Sequence, residues 1–156
     1  MFAAQLAAQL LPYRIEVVCG PLVEDAFIAL LVSLELGCEF AYAERFADAT
    51  REGLFPVKYR LPRALQPAVH GKRVAIVNDV ISAGSAVRGA FFDLQALGAG
   101  VVAIGALLAL GDAIMDFAAE HRVALELLER VPNNLWIPSE CPLCVAAMPL
   151  EIAGTS

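Results

Sequence analysis

Apolar runs alternate with amphipathic stretches along most of the chain, and this pattern predicts strands separated by helices. Strands are predicted at Ile15–Cys19, Glu39–Arg45, Pro56–Leu61, Val74–Val77, Gly100–Leu110 and Val123–Leu128. Helices are predicted at Phe2–Leu11, from Asp25 to about Leu36, from near Ser85 to Leu97, and at Asp112–Glu120. Strands and helices in alternation, joined by short links, are typical of a doubly wound α/β fold with a mainly parallel sheet.

Composition supports this fold class. The chain has 156 residues, of which 59% are hydrophobic. We expect a single domain, residues 1–156, with residues 132–156 as an irregular C-terminal tail. The longest uncharged apolar stretch, Ala99–Gly111, is too short to cross a bilayer. The apolar excess therefore indicates a sheet covered on both faces, or a buried subunit interface.

The net charge and the N-terminal sequence limit the partners and the cellular location that we expect. The formal net charge is −6 and the only lysines are Lys58 and Lys72, so we expect no nucleic-acid partner. No basic segment precedes the apolar N-terminus, which does not resemble a signal peptide. We therefore expect no membrane partner and a reducing, cytoplasmic location.

The stretch VAIVNDVISAGSA, residues 74–86, carries most of the functional signal. A buried strand leads to Asn78 and Asp79, and then to a loop of small and hydroxyl residues at a helix N-terminus. Such a loop binds phosphate through backbone N–H groups, and Gly84 permits a backbone conformation that a Cβ resists. The Asp79 carboxylate suits ribose hydroxyls or Mg²⁺. Together these features describe a ribose 5-phosphate site, and the alternative is an ordinary strand–turn–helix with serine caps.

A second turn, Gly20–Asp25, precedes the second predicted helix. Its acids, Glu24 and Asp25, either stabilise the first helical turn or belong to a loop that faces a ligand. Ligands of doubly wound sheets bind at the carboxyl ends of the strands. We therefore expect this turn and the stretch from Asn78 to Ala86 to lie at the same sheet edge. Arg88, one turn into the following helix, either reaches a phosphate or is a solvated surface residue.

The central stretch closely resembles the phosphoribosyl-pyrophosphate signature of the type I phosphoribosyltransferases. In that signature four apolar residues precede two acids, two apolar residues and a Thr/Ser-x-Gly-Thr/Ser-Thr loop. The resemblance continues outside it. The residues VVCGP, 17–21, resemble the first strand and pyrophosphate loop of orotate phosphoribosyltransferases, and similarity extends over roughly residues 15–111.

The resemblance implies roles for individual residues. Five would hold the 5-phosphate: Ser82, Ala83, Gly84, Ser85 and Ala86. Asp79 and Asn78 would face the ribose hydroxyls. Gly20, Pro21, Glu24 and Asp25 would border the pyrophosphate.

The resemblance also implies catalytic residues and partners. Catalytic roles fall to Asp79, to Arg45 near a basic pyrophosphate-contacting position, and to Arg51 in a mobile loop at Phe46–Leu54. Mg²⁺ would arrive with the substrate, without an assigned protein ligand. The partners implied are phosphoribosyl pyrophosphate, a nucleobase and a second copy of the chain in a homodimer.

Four departures from the family pattern bear on function. Asn78 stands where the first acid is expected, and Ala86 replaces the last hydroxyl residue. Glu24-Asp25 replace small residues such as Gly-Gly, and the loop Phe46–Leu54 contains no lysine. The chain also begins almost at its first core strand, which predicts a reduced hood over the base.

Two functions are therefore kept open. The first is Mg²⁺-dependent phosphoribosyl transfer to a nucleobase, with orotate implied by the resemblance. The second is a ribose-phosphate or nucleotide-binding regulator without turnover, which the departures favour.

Three features outside the central stretch have weaker functional interpretations. The CPLC sequence, Cys141–Cys144, is interpreted mainly as a packed turn, with a shared zinc site and a redox pair as alternatives. Trp136 is expected to pack rather than to stack on a base. His70 is expected to be a solvated residue beside a turn rather than a base catalyst.

Overall fold

The computed structural model describes residues 1–23, 25–47, 57–134, 136–137 and 139–149. Its helices are α1 (Phe2–Leu10), α2 (Asp25–Leu36), α3 (Gln66–Val69), α4 (Ser85–Ala96), α5 (Ala113–His121) and α6 (Pro142–Val145). Its strands are β1 (Val17–Pro21), β2 (Glu39–Ala47), β3 (Val57–Arg60), β4 (Arg73–Ile81), β5 (Gly100–Leu110) and β6 (Ala124–Val131).

These strands form one six-stranded sheet in the order β3-β2-β1-β4-β5-β6. Strand β3 is antiparallel to β2, and every other neighbouring pair is parallel. The chain leaves β1 through α2 toward β2 and leaves β4 through α4 toward β5. The two connections diverge, so a crevice opens at the carboxyl ends of β1 and β4, the topological switch point where such sheets bind ligands.

Apolar side chains cover both faces of the sheet, as the composition predicts. One core cluster joins Val17, Cys19 and Ile76 to residues of α4 and α5. The other joins Val18 and Val77 to residues of α1 and α2. Neighbouring residues of a strand thus lie in opposite cores, which is the pattern of strands buried on both faces. The predicted doubly wound, mainly parallel α/β fold is confirmed.

Close packing fixes the position of α2 over the end of β1. A Cβ on Gly20 would lie 2.6 Å from Ala29 Cβ and 2.8 Å from Ala26 Cα. Only glycine therefore allows the helix to approach the strand this closely. The turn is also joined to β2, because Leu22 N donates to Ala43 O at 2.8 Å.

Several predicted boundaries were wrong. Strand β4 continues through Ile81, so Asn78 and Asp79 lie within the strand rather than after it. Strand β1 includes Gly20 and Pro21, which were assigned to a turn. The predicted loop at Phe46–Leu54 begins too early, because β2 pairs with β3 as far as Ala47. In each case pairing with a neighbouring strand extends the element beyond its local apolar pattern.

Two short helices were not predicted. Helix α3 occupies part of the segment that leads into β4, and α6 lies within the tail expected to be irregular. None of the helices in the described residues combines the length and apolar character needed to cross a membrane. The single-domain organisation and the cytoplasmic location stay predictions.

Candidate phosphoribosyl-binding site

Asp25 of the first predicted turn and residues of the stretch from Asn78 to Ala86 meet at the switch point between β1 and β4. A pocket of about 180 Å³ lies there. Its lining residues are Asp25, Asn78, Val80, Ile81, Ser82, Ala83, Gly84, Ser85, Ala86 and Val87. One side of the pocket consists of backbone and hydroxyl groups, and the other contains a carboxyl and an amide.

The loop Ser82–Gly84 and the first turn of α4 form the phosphate side. Gly84 has φ +76° at the N-cap of α4, and the turn closes with Arg88 N donating to Gly84 O at 2.9 Å. The first N–H groups of a helix have no acceptor within it, and here they belong to residues that line the pocket. The first turn of α4 carries no acid. This side of the pocket is therefore suited to an anion.

Asp25 and Asn78 form the opposite side, and Asp79 lies next to them but is not part of the pocket lining. Asp25 begins α2, and its Oδ1 accepts a hydrogen bond from Asp79 N at 3.0 Å. The side chain of Asn78 also hydrogen-bonds to the Asp25 carboxyl. The Asp79 carboxylate accepts a hydrogen bond from Val80 N. An acid and an amide from different elements thus meet at one edge of the pocket, with Asp79 hydrogen-bonded to Asp25 beside them.

The environment of Asp25 perturbs its ionisation. Burial is the main reason why the pKa of Asp25 rises from 3.8 to about 7, and its contact with the Asp79 side chain adds to the effect. The backbone N–H of Asp79 and the side chain of Asn78 act in the opposite direction. Asp25 is therefore a carboxyl that gains or loses its charge near neutral pH.

Asn78 is 2% exposed, so its amide is effectively buried. Within the part of the chain that the structure describes, its Oδ1 has no hydrogen-bond partner. An unpartnered buried acceptor carries a cost of about 1–3 kcal/mol. A ligand with a donor group at this end of the pocket would remove that cost.

Arg88 lies beside the phosphate loop but is directed toward α5. Its guanidinium lies 4.5 Å from the centre of the Phe117 ring and donates to Ala113 O at 3.0 Å. It does not belong to the pocket lining. Both predicted roles, a phosphate contact and a solvated surface residue, are therefore wrong, and Arg88 instead fixes α4 against α5.

Three lining residues were not singled out from the sequence: Val80, Ile81 and Val87. They directly flank the predicted residues, and their apolar character gave no chemical signal.

Arg45 lies exposed near the end of β2, opposite Tyr59 of β3. Glu24 and Arg51 lie outside the described residues, so their predicted roles have no structural account.

Gly20 and Pro21 form the end of β1 and shape the turn, but they do not line the pocket. In the described ranges, no group of three or more His, Cys, Asp or Glu side chains could hold a metal ion.

The features outside the central stretch lie elsewhere in the fold. His70 Nδ1 is 2.9 Å from Leu97 O at the end of α4, away from the pocket lining. Cys144 is exposed and Cys141 is partly exposed, so the CPLC turn is not packed in a core. Hydrogen bonds from Cys144 and from the Leu143 backbone lower the pKa of Cys141. Trp136 is 47% exposed.

Comparison with known proteins agrees with this geometry. No protein-family model matches the chain. The orotate phosphoribosyltransferase of Caldanaerobacter subterraneus subsp. tengcongensis is 28% identical over 155 residues, which cover 99% of this chain and 74% of that protein. The orotate phosphoribosyltransferase of Thermotoga maritima is 29% identical over 151 residues, covering 97% and 73%.

Solved structures show the same fold. Adenine phosphoribosyltransferase from Thermoanaerobacter pseudethanolicus superposes with a TM-score of 0.67 at 18% identity, over 83% of this chain and 78% of that chain. Orotate phosphoribosyltransferase from Aeropyrum pernix gives a TM-score of 0.62 at 19% identity, over 83% and 68%. Sequence similarity and fold agree: the chain is similar in sequence to orotate phosphoribosyltransferases and has the type I phosphoribosyltransferase fold.

Proposed function

We propose that this protein is an enzyme that transfers a phosphoribosyl group from phosphoribosyl pyrophosphate to a nucleobase. The observation that carries the proposal is the pocket at the switch point, which combines an anion-binding turn with the Asp25 carboxyl and the Asn78 amide at the opposite side. A ribose 5-phosphate has the matching chemistry, an anion at one end and hydroxyl donors at the other. The orotate phosphoribosyltransferases similar in sequence support the same activity.

The proposed binding mode follows the two sides of the pocket. The 5-phosphate accepts hydrogen bonds from the first turn of α4 and from the hydroxyls of Ser82 and Ser85. The ribose ring extends along the end of β4, where Asp79 and Asn78 accept from its hydroxyls. Pyrophosphate lies toward the turn after β1, near Gly20 and Pro21, with Arg45 on the neighbouring strand as a cationic contact.

Transfer through this site requires mainly positioning and charge screening. Proteins hold Mg²⁺ chiefly through the phosphates of the substrate. We propose that Mg²⁺ would bind together with the pyrophosphate and would screen the charge of this leaving group. The chain's own residues hold the phosphate and ribose so that C1 faces the incoming base nitrogen. Arg51, in the segment between β2 and β3, is proposed to supply further positive charge at the pyrophosphate.

Orotate is the proposed base, because the sequence relatives are named for it. Solved neighbours named adenine phosphoribosyltransferases make adenine the main competitor. A panel containing orotate, uracil, adenine, guanine and hypoxanthine distinguishes these bases.

A homodimer is also proposed, and α2 offers a surface for it. Its outer side exposes Phe27, Leu30, Leu31 and Leu34, with Val23 just before the helix. Phe27 and Leu34 are 69% and 70% exposed. Residues at this spacing form one continuous helix face, and apolar faces of this kind mark interaction sites.

The second candidate function, a regulator that binds a ribose phosphate without turnover, is favoured by Asn78 and by the absence of lysine from residues 46–54. Both features reduce the charge available to catalyse the reaction without removing the phosphate-binding turn.

The two functions are separated by measuring pyrophosphate release with Mg²⁺, phosphoribosyl pyrophosphate and the base panel. Nucleotide formation that Asp79→Asn reduces at least tenfold is expected for the enzyme. Asp116→Asn serves as the control, because Asp116 is an exposed acid on α5. Binding of phosphoribosyl pyrophosphate without product from any base would support the regulator, and absence of both would refute both candidates.

A further inference from the structure

Among the described residues, Asp25 is the one acid in the pocket lining, and it comes from α2 rather than from β4. It is 54 residues from Asp79 in sequence, yet its Oδ1 lies 3.0 Å from Asp79 N. Its side chain also hydrogen-bonds to the side chains of Asn78 and Asp79 on the same strand. The carboxyl is therefore held against the end of β4, at the edge of the pocket opposite the phosphate turn.

Asn78 gives an independent indication that this edge is incomplete without a ligand. The residue is 2% exposed and lines the pocket, and its Oδ1 is unpartnered among the described residues. The amide contacts Asp25 at one end and leaves an acceptor at the other. A hydroxyl donor from a ligand would satisfy that acceptor.

We propose that Asp25 supplies, from α2, the carboxylate that the family signature places at position 78, so that Asp25 and Asp79 together hold the ribose hydroxyls. The inference rests on the proposed function and deepens it, because it assigns a specificity-determining residue for the ribose of the substrate. It also changes the role implied for Asp25, from a neighbour of pyrophosphate to an acceptor for ribose.

Two departures from the family pattern balance each other in charge: Asn78 removes one carboxylate and Asp25 adds one. The resemblance leads one to expect two acids at positions 78 and 79 and Gly-Gly at positions 24 and 25. This chain has Asn78 and Asp79 on the strand and Asp25 on the helix, which again places two carboxylates at the ribose end. An acid at position 78 would add a third carboxylate in contact with the first two, and like charges at this distance destabilise one another. A neutral amide instead donates to Asp25.

The packing of α2 makes this relocation geometrically feasible. Gly20 brings the helix onto the end of β1, since a Cβ there would lie 2.8 Å from Ala26 Cα. The first residue of the helix is thereby placed within hydrogen-bond distance of β4. Contacts with another strand also argue against a purely local capping role, in which the side chain would serve its own helix.

The test measures whether the protein recognises ribose hydroxyls through Asp25. Isothermal titration at pH 8 compares ribose 5-phosphate with 2,3-dideoxyribose 5-phosphate, which lacks both hydroxyls, and with inorganic phosphate. The 156-residue chain is used as wild type, Asp25→Asn, Asp25→Gly, the double variant Asp25→Gly/Asn78→Asp, and Asp116→Asn. Asp116 is a matched control, because it too is an acid in the first turn of a helix.

Hydrogen bonds to charged acceptors lead us to expect about a hundredfold preference of the wild type for ribose 5-phosphate over the dideoxy compound. Asp25→Asn should lower this preference about tenfold and leave the affinity for inorganic phosphate within about twofold. The double variant should return the preference to within about threefold of wild type, and Asp116→Asn should not change it.

An unchanged preference in Asp25→Asn, with the protein folded by circular dichroism, would overturn the inference while leaving the proposed function intact. Failure of the folded double variant to recover the preference lost in Asp25→Gly would also count against it. A wild type that binds neither sugar phosphate would refute the proposed function, and the inference with it. Asp25→Asn preserves the shape of the side chain and an acceptor for Asp79 N, so it tests charge rather than folding.

Discussion

Replacing Asp25 with asparagine should stabilise the folded protein at neutral and alkaline pH. Burial, together with the contact with Asp79, raises the pKa of this carboxyl from 3.8 to about 7. In the unfolded chain the same group ionises at its ordinary pKa of about 3.9. Above pH 7 the folded state therefore holds a charge that would be better solvated in the unfolded state.

The expected change in the free energy of unfolding follows from the size of the rise in the pKa of Asp25. At about 1.4 kcal/mol per pH unit, a rise of about 3 corresponds to about 4 kcal/mol. Asp25 is only half-buried, so solvent screening reduces this to about 2 kcal/mol. Because the folded pKa is raised, the favourable contribution is complete below about pH 4 and is lost as pH increases to about 7. Asparagine cannot ionise and avoids this loss.

The assay is urea unfolding of wild type, Asp25→Asn and Asp116→Asn at pH 5.5 and pH 8.5. Far-UV circular dichroism is the suitable signal, because Trp136 is 47% exposed and reports poorly on the core. Asp25→Asn should exceed wild type by about 2 kcal/mol at pH 8.5 and by about half of that at pH 5.5. Equal or lower stability of Asp25→Asn at pH 8.5 would show that this carboxyl is not destabilised by burial. If Asp25→Asn is more stable than the wild type but recognises ribose less well, then Asp25 is kept for function although it destabilises the fold.

Further predictions concern packing, assembly and charge at the same site. Gly20→Ala should destabilise the fold by about 1–3 kcal/mol in thermal unfolding, because the new Cβ would clash with α2. Gly100→Ala is the control: its Cβ would lie 3.5 Å from Lys72 O, so this change should affect stability far less. Phe27→Glu should convert the proposed dimer to a monomer in sedimentation velocity, whereas a charge at the exposed Val145 should not. Asn78→Asp alone should weaken ribose 5-phosphate binding severalfold, by adding a third carboxylate beside Asp25 and Asp79; tighter binding would contradict the charge count. Affinity for ribose 5-phosphate should increase with pH through about 7 in the wild type and less so in Asp25→Asn, because hydroxyl donors favour the ionised carboxylate.

Local pattern determined much of the fold. The strand Gly100–Leu110 has the predicted bounds, and α2 ends at Leu36 before Gly37, which has φ +65°. Such features depend on neighbouring residues: apolar runs of strand length, and glycine where the backbone turns left-handed. The strand–loop–helix of residues 74–86 was recognisable for the same reason, because a phosphate turn is built from consecutive residues.

Tertiary structure decided where elements end and which distant groups meet. Parallel pairing with β5 extends β4 through Ile81, so Asn78 and Asp79 are strand residues although their side chains are polar. The sequence indicated that the turn after β1 and the end of β4 share a sheet edge, since carboxyl ends of parallel strands lie together.

The direction of the Asp25 side chain depends on how closely α2 approaches β1 at Gly20, and on the register that pairs Cys19 with Ile76. Both are long-range contacts that no local pattern encodes. From the sequence, Asn78 and Asp25 were therefore two separate departures, and only the folded chain places them in one hydrogen-bonded group at the ribose end of the pocket.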